Sequence, residues 1–122
     1  SLWTILLVES GVARARSATM QVTTSMVRKL LRDAIAKNEK HVGTCAKFVQ
    51  LATTRLDGSP AVRTVVMRGF VAEQPQHLQL KFATDARSTK CQQLSNAPAV
   101  ELCWYFSHTW EQFRLRGQMK VR

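Results

Sequence analysis

Acidic side chains are scarce in this sequence: 8 Asp and Glu stand against 18 Lys and Arg, a formal charge of +10 at pH 7. The excess is spread along the chain, with no block of five or six like charges such as a nucleic-acid-binding arm carries. A phosphorylated or polyanionic partner therefore fits the charge, while a solvated basic surface accounts for it equally well. The three cysteines, Cys45, Cys91 and Cys103, are odd in number and have no C-x-x-C spacing. That argues against a disulfide framework or a zinc site and favours a reducing compartment. His41, His77 and His108 lie far apart, outside any ligand motif, and no metal is expected. No apolar run approaches the roughly 18 residues that a membrane span needs. There is no G-x-S-x-G, no H-x-x-E-H and no nucleophile–base pair. Glu101 and Glu111 are candidate general bases, but an exposed carboxylate on a strand is the plainer reading of each.

Against these gaps stands a 122-residue chain with 45% apolar residues and no low-complexity tract, enough for one folded domain with one core. Residues 1–19 combine L-W-T-I-L-L-V with Ala, Arg and Ser. That composition fits a targeting segment, or translated sequence upstream of a start at Met20, and it stands apart from the fold. From Thr24 the apolar positions Val27, Leu30, Leu31, Ala34 and Ile35 predict an amphipathic helix of three to four turns. Phe48, Gln50 and Ala52 alternate with Val49, Leu51 and Thr53, and Asp57-Gly58 then signals a hairpin. The return strand runs from Val62 to Met67 and ends at Gly69. Leu78, Leu80 and Phe82 give a third strand with one buried face. A short helix follows from Arg87 to Ser95, capped by Thr84 or Asp85 and stopped by Asn96 and Pro98. Val100–Phe106 and Trp110–Val121 form a last hairpin, in which Trp104, Tyr105 and Phe106 alternate between faces. Hairpin-joined strands with one intervening short helix predict a mainly β (α+β) fold, an antiparallel barrel carrying an N-terminal helix.

The stretch from Arg63 to Lys90 organises the functional reading. R-T-V-V-M-R-G-F carries Arg63 and Arg68, and T-D-A-R-S-T-K places Thr84, Arg87, Ser88, Thr89 and Lys90 just after the next strand. Paired antiparallel, these ends would gather guanidinium, ammonium, hydroxyl and helix-start N–H groups, the donor set of a dianionic phosphate. Arg63 and Arg68, five positions apart, would point to opposite faces of a strand. The T-V-V-M backbone between them offers peptide and apolar contacts to a ring. A chain this poor in catalytic side chains can still be an enzyme where a cofactor carries the reaction. Flavin chemistry meets that condition, with Gln112 as a donor to the polar edge of the ring.

Four segments, F-V-Q-L-A-T-T-R-L-D-G-S-P-A-V-R-T-V-V-M-R-G-F, T-D-A-R-S-T-K, N-A-P-A-V-E-L-C-W-Y-F and W-E-Q-F-R-L-R-G, occur in order at compatible spacings. Together they resemble the FMN-binding domain of pyridoxamine 5′-phosphate oxidase-like proteins, in the branch found in cyanobacteria and plants, over about residues 26–122. The resemblance implies a split barrel over residues 20–122, incomplete at its C-terminus, forming a homodimer with FMN in a cleft between subunits. It implies that Arg63, Thr64, Val65 and Val66 line the first FMN-contacting strand, and that Ala83 and Thr84 end the next. Ser88, Thr89 and Lys90 match the phosphate-binding turn, Gln112 a flavin-contacting glutamine, and Arg68 a lysine that touches the substrate phosphate. Where the oxidase has an Arg-Lys pair in the turn, this sequence has Thr89-Lys90 with the arginine displaced to Arg87, which changes the geometry of the grip.

Three functions are then in competition. The first is an FMN-dependent oxidase acting on a CH–NH2 or CH–OH substrate such as a pyridoxine or pyridoxamine phosphate, with electrons passed to oxygen. The second is an FMN-binding module without turnover. The third is a basic nucleic-acid-binding barrel, which would need aromatic side chains exposed on a strand face. The expected compartment is the cytoplasm, or a plastid or mitochondrion if residues 1–19 belong to a transit peptide.

Overall fold

The computed structural model describes residues 2–8, 12–15, 18–21, 24–70, 78–84 and 99–121, with side chains over 26–70, 78–82 and 99–119. Its elements in chain order are β1 (Leu2–Val8), β2 (Val12–Ala15), β3 (Ala18–Gln21), α1 (Thr24–Val42), a 3-10 turn (Gly43–Lys47), β4 (Phe48–Thr54), β5 (Pro60–Phe70), β6 (Leu78–Thr84), β7 (Ala99–Phe106) and β8 (Glu111–Val121).

All pairings are antiparallel, in the order β1-β6-β5-β4-β7-β8-β2-β3, and β1 also pairs with β8. Six strands thus close into a ring. The β2–β3 hairpin is attached where Ala15 meets Glu111. The sequence reading set residues 1–19 apart from the barrel; here Leu2–Val8 runs between β6 and β8, with Leu6 opposite both Leu80 and Met119. The helix Arg87–Ser95 and the connection 71–77 lie outside the described residues.

Strict alternation fills the ring. Val49, Leu51 and Thr53 of β4 are buried while Phe48 and Gln50 are exposed; Leu78, Leu80 and Phe82 of β6 are buried; Trp104 and Phe106 of β7 are buried while Tyr105 is exposed. The period of two places these side chains on one face of each strand. Trp104 and Phe106 stack at 5.4 Å between ring centroids, and Phe113 of β8 meets Phe106 edge-on at 5.7 Å. Both arrangements suit the quadrupoles of the rings.

Helix α1 is longer than its apolar spacing predicts: 19 residues, about five turns. It buries Val27, Leu31, Ala34 and Ile35 in the same core, and Lys40 and His41 complement the dipole in its last turn. Gly43, at φ +64°, stops it in the left-handed conformation that glycine reaches without a Cβ clash.

Two polar side chains tie α1 and the 3-10 turn to the far hairpin. Asn38, fully buried, donates from Nδ2 to the Ala34 carbonyl (2.7 Å) and to Thr109 Oγ1 (2.9 Å). Its Oδ1 accepts from the backbone N–H of His108 (2.9 Å) and Thr109 (3.3 Å). The Trp104 indole N–H donates to the Ala46 carbonyl at 2.8 Å. The His41 and His108 rings stack at 3.5 Å beside this clamp.

Strand β5 corrects the sequence reading. It continues through Gly69 to Phe70 instead of ending there, because the ladder to β6 absorbs an irregularity: Met67 pairs with Phe82 and Gly69 with Lys81, which leaves Arg68 as an extra residue. Gly69 takes φ +154°, open to glycine and strained for other residues. The β4–β5 loop spans residues 55–59, since Thr54 pairs with Pro60. Within it Asp57 Oδ1 accepts from Ser59 N–H (2.9 Å) and Ser59 Oγ–H (2.6 Å).

Two outcomes are expected. Replacing the fully buried Asn38 with Ala removes its four hydrogen bonds, two of them to the part-buried His108 and Thr109 N–H groups, and should lower unfolding stability by about 1–3 kcal/mol in urea titrations. The Ser59 hydroxyl, then its N–H, holds the Asp57 carboxyl below the ordinary value of 3.8. A depressed folded pKa contributes stability that is present above the ordinary value and lost as the pH falls through the depressed one. The gap in urea midpoint between the wild type and Asp57→Ala should therefore be widest near neutrality and narrow on acidification below about pH 4.

Candidate functional site

The residues of β5 divide between its two faces. Ala61, Val65 and Met67 are buried on the inward side, and Arg63 shares that side by alternation, opposite the fully buried Leu51. Thr64 is exposed and Val66 half-buried on the outward side, while Arg68, the extra residue where the β5–β6 register shifts, is exposed and stands outside the regular alternation.

Arg63 is half-buried, and its Nη1 donates to the Leu51 carbonyl at 3.2 Å. Burial, and after it the Arg55 guanidinium, press its pKa below the ordinary arginine value, although a guanidinium remains charged throughout the working range. Arg55 is fixed in the adjacent loop, its Nη1 donating to the Pro60 carbonyl and to Ser59 Oγ (3.4 Å). A partly buried guanidinium, with the exposed Arg55 near enough to act on it, makes a locally positive patch whose charge favours an anion such as phosphate. Sequence reasoning missed Arg55. The signal was the arginine just before the Asp57-Gly58 turn, in register to reach back along β5.

Strand β6 ends beside this region. Met67 faces Phe82, so two residues further along each antiparallel strand the backbone of Thr84 comes abreast of Val65. The predicted contacts Ala83 and Thr84 therefore sit at the same end of the sheet as Arg63. Arg87, Ser88, Thr89 and Lys90, the predicted phosphate turn, lie outside the described residues.

Gln112 stands elsewhere. It is half-buried on β8 opposite Tyr105, and β4 and β7 lie between β8 and β5. That is three strand spacings, roughly 14 Å, from β5. It shares the outward face with Thr64, which accepts a hydrogen bond from Gln50 Nε2 at 3.0 Å. Within one copy of the chain, Arg63 and the end of β6 form one group, and Gln112 belongs to another. Of the candidate bases, Glu101 is tied to Arg116 at 3.6 Å and Glu111 opens β8 half-buried. A shallow groove of about 350 Å³ beside Glu101 contains none of the predicted cofactor contacts. Among the described residues no group of three or more His, Cys, Asp or Glu side chains is placed to hold a metal, and no helix is long and apolar enough to cross a membrane.

Comparison with known proteins gives this arrangement its family. The model of the pyridoxamine 5′-phosphate oxidase FMN-binding domain matches residues 24–122. The chain is 47% identical over 94 residues to pyridoxine/pyridoxamine 5′-phosphate oxidase 2 of Arabidopsis thaliana, covering 77% of this chain and 45% of that protein. It is 31% identical over 88 residues to the pyridoxine/pyridoxamine 5′-phosphate oxidase of Hyphomonas neptunium, covering 72% of this chain and 38% of that one. It therefore spans less than half the length of either relative. The crystal structure of a pyridoxamine 5′-phosphate oxidase-related, FMN-binding protein from Nostoc punctiforme superimposes with a TM-score of 0.68 at 43% identity, covering 75% of this chain and 45% of that one. The antiparallel split barrel, the arginine pair at the β4–β5 hairpin and these matches lead to one conclusion: the chain belongs to the pyridoxamine 5′-phosphate oxidase FMN-binding domain family, and FMN is its cofactor.

Proposed function

We propose that this chain is the cofactor-holding part of an FMN-dependent oxidase whose substrate is a pyridoxine or pyridoxamine phosphate, working as a homodimer. The observation that carries the proposal is the partly desolvated Arg63, held beside Arg55 at the end of the sheet where β6 delivers Thr84. Bound there, FMN would supply the hydride acceptor and the route of electrons to oxygen. The chain's own part is to bind and orient. Arg63 meets the phosphate, the Val65–Val66 backbone beds the ring, and Arg87, Ser88, Thr89 and Lys90 complete the grip. No side chain is asked to move a proton.

The homodimer draws support from the outward face. Phe48, Val62 and Tyr105 are 39%, 68% and 53% exposed there, on the same side as Gln112. A second copy covering that face would remove apolar surface from water and bring its own Gln112 toward a cleft that one copy leaves wide.

Purified protein titrated with FMN should show quenching of the flavin fluorescence and a structured visible band. Arg63→Ala should weaken FMN binding by about tenfold or more, the loss of one charged phosphate contact. Anaerobic bleaching by pyridoxamine 5′-phosphate, reversed by air, supports the oxidase. FMN-loaded protein that neither this amine nor pyridoxine 5′-phosphate bleaches overturns it and leaves an FMN-binding module. By light scattering, Tyr105→Asp combined with Val62→Asp should shift a dimer to a monomer without unfolding it.

A further inference from the structure

The loop of residues 55–59 contains Asp57-Gly58, the one Asp-Gly pair in the sequence. Such a pair is chemically fragile. The glycine nitrogen can attack the aspartyl side-chain carbonyl, because no Cβ crowds its approach. Yet the fold requires that glycine. Gly58 takes φ +87°, a left-handed conformation strained for residues with a side chain, although a Cβ there would meet nothing within 4 Å. Conformation, not space, fixes glycine here, so any protection must come from its neighbours. Both reacting groups are in fact engaged. The Gly58 N–H donates to the Arg55 carbonyl at 2.9 Å, and the Arg55 N–H closes the loop on the Ser59 carbonyl at 2.8 Å. Asp57 Oδ1 accepts from the Ser59 hydroxyl at 2.6 Å and from the Ser59 N–H at 2.9 Å. The hydroxyl first, and the N–H after it, keep the carboxyl anionic to a lower pH than an ordinary aspartate. A carboxylate is a poor electrophile and has no hydroxyl to lose.

We propose that Asp57-Gly58 is a latent isoaspartate site and that the Ser59 side chain guards it. In the unguarded reaction the Gly58 nitrogen bonds to Asp57 Cγ, the Cγ–OH bond breaks, and water leaves with the amide proton. Solvent water then opens the succinimide at either carbonyl, returning aspartate or yielding isoaspartate. No oxidant or cofactor takes part. Isoaspartate routes the main chain through the former side chain and lengthens the loop backbone by one carbon. That loop presents Arg55, whose Nη1 donates to Ser59 Oγ at 3.4 Å and to the Pro60 carbonyl. The modification therefore displaces a guanidinium that acts on Arg63 and weakens the hold on an anion there. This consequence rests on the FMN reading of Arg63; the guard itself does not.

The test ages the full chain, folded and unfolded in guanidinium chloride, and counts isoaspartate by enzymatic methylation and by mass spectrometry of the loop. In the folded chain Ser59→Ala should isomerise about tenfold faster than the wild type, the effect of losing one hydrogen bond to a charged group. Ser59→Thr, which keeps the hydroxyl, should match the wild type. The gap should narrow once the pH falls below the depressed value of the wild-type carboxyl, where both forms are neutral. In denaturant the three chains should isomerise alike. Equal rates for folded wild type and Ser59→Ala overturn the guard. So does a Ser59→Ala excess that persists in denaturant, which would mark an effect of local sequence alone. The isoaspartate fraction, separated by ion exchange, is then titrated with FMN. An affinity equal to that of the unaltered chain overturns the consequence drawn for Arg55 and leaves the guard. Unaltered chain that binds no FMN overturns the cofactor reading and likewise leaves the guard.

Discussion

One buried amide sets the geometry on which the rest depends. Asn38 makes four hydrogen bonds, two of them to backbone N–H groups of the β7–β8 turn. In that turn Trp110 sits at φ +59°, a conformation that non-glycine residues adopt at a cost. A buried polar group left unpaired is expensive, so the clamp admits one register of helix against hairpin. The Trp104 indole repeats the device one turn further on by fastening β7 to the 3-10 segment. With α1 fixed at Asn38 and the 3-10 segment after it at Ala46, Ile35 is seated in the core and Arg32 is held over Phe70.

The two faces of β5 separate two kinds of chemistry. Inward, Arg63 shares its side with Val65 and Met67 and loses part of its hydration, which makes its charge more effective toward an anion. Outward, Thr64, Val66 and Gln112 belong to a sheet surface with exposed apolar side chains. A flavin has a charged tail and a broad apolar ring, and under the proposed reading the two faces would serve one half each. This explains why a domain with so few acid–base side chains can serve a redox cofactor: it supplies position and field, and the cofactor supplies the reaction.

Much of this was legible in the residues. The alternation of Val49, Leu51 and Thr53, of Leu78, Leu80 and Phe82, and of Trp104 with Tyr105 specified the buried faces, because a period of two leaves no other choice once one side is apolar. Helix α1 was legible in existence but not in length, since Asn38 continues its inward stripe as a polar residue and apolar spacing alone stops at Ile35. Gly69 misled for a physical reason: glycine ends strands and permits bulges through the same conformational freedom, and local sequence does not distinguish the two. The place of Arg32 over Phe70 was invisible, because a helix crossing that no local pattern encodes brings it there, whereas Arg55 was marked by its position just before the Asp57-Gly58 turn.

The irregularity in β5 has a wider meaning for how such a domain can diversify. Arg68 carries no ladder pairing of its own, so its identity is uncoupled from the register of the β5–β6 pair. A position of that kind can exchange one cation for another, or lose its charge, while every neighbouring strand contact stays in place. The barrel thereby keeps a variable exposed residue embedded in an inner strand of its sheet, where side-chain chemistry can drift without putting the architecture at risk.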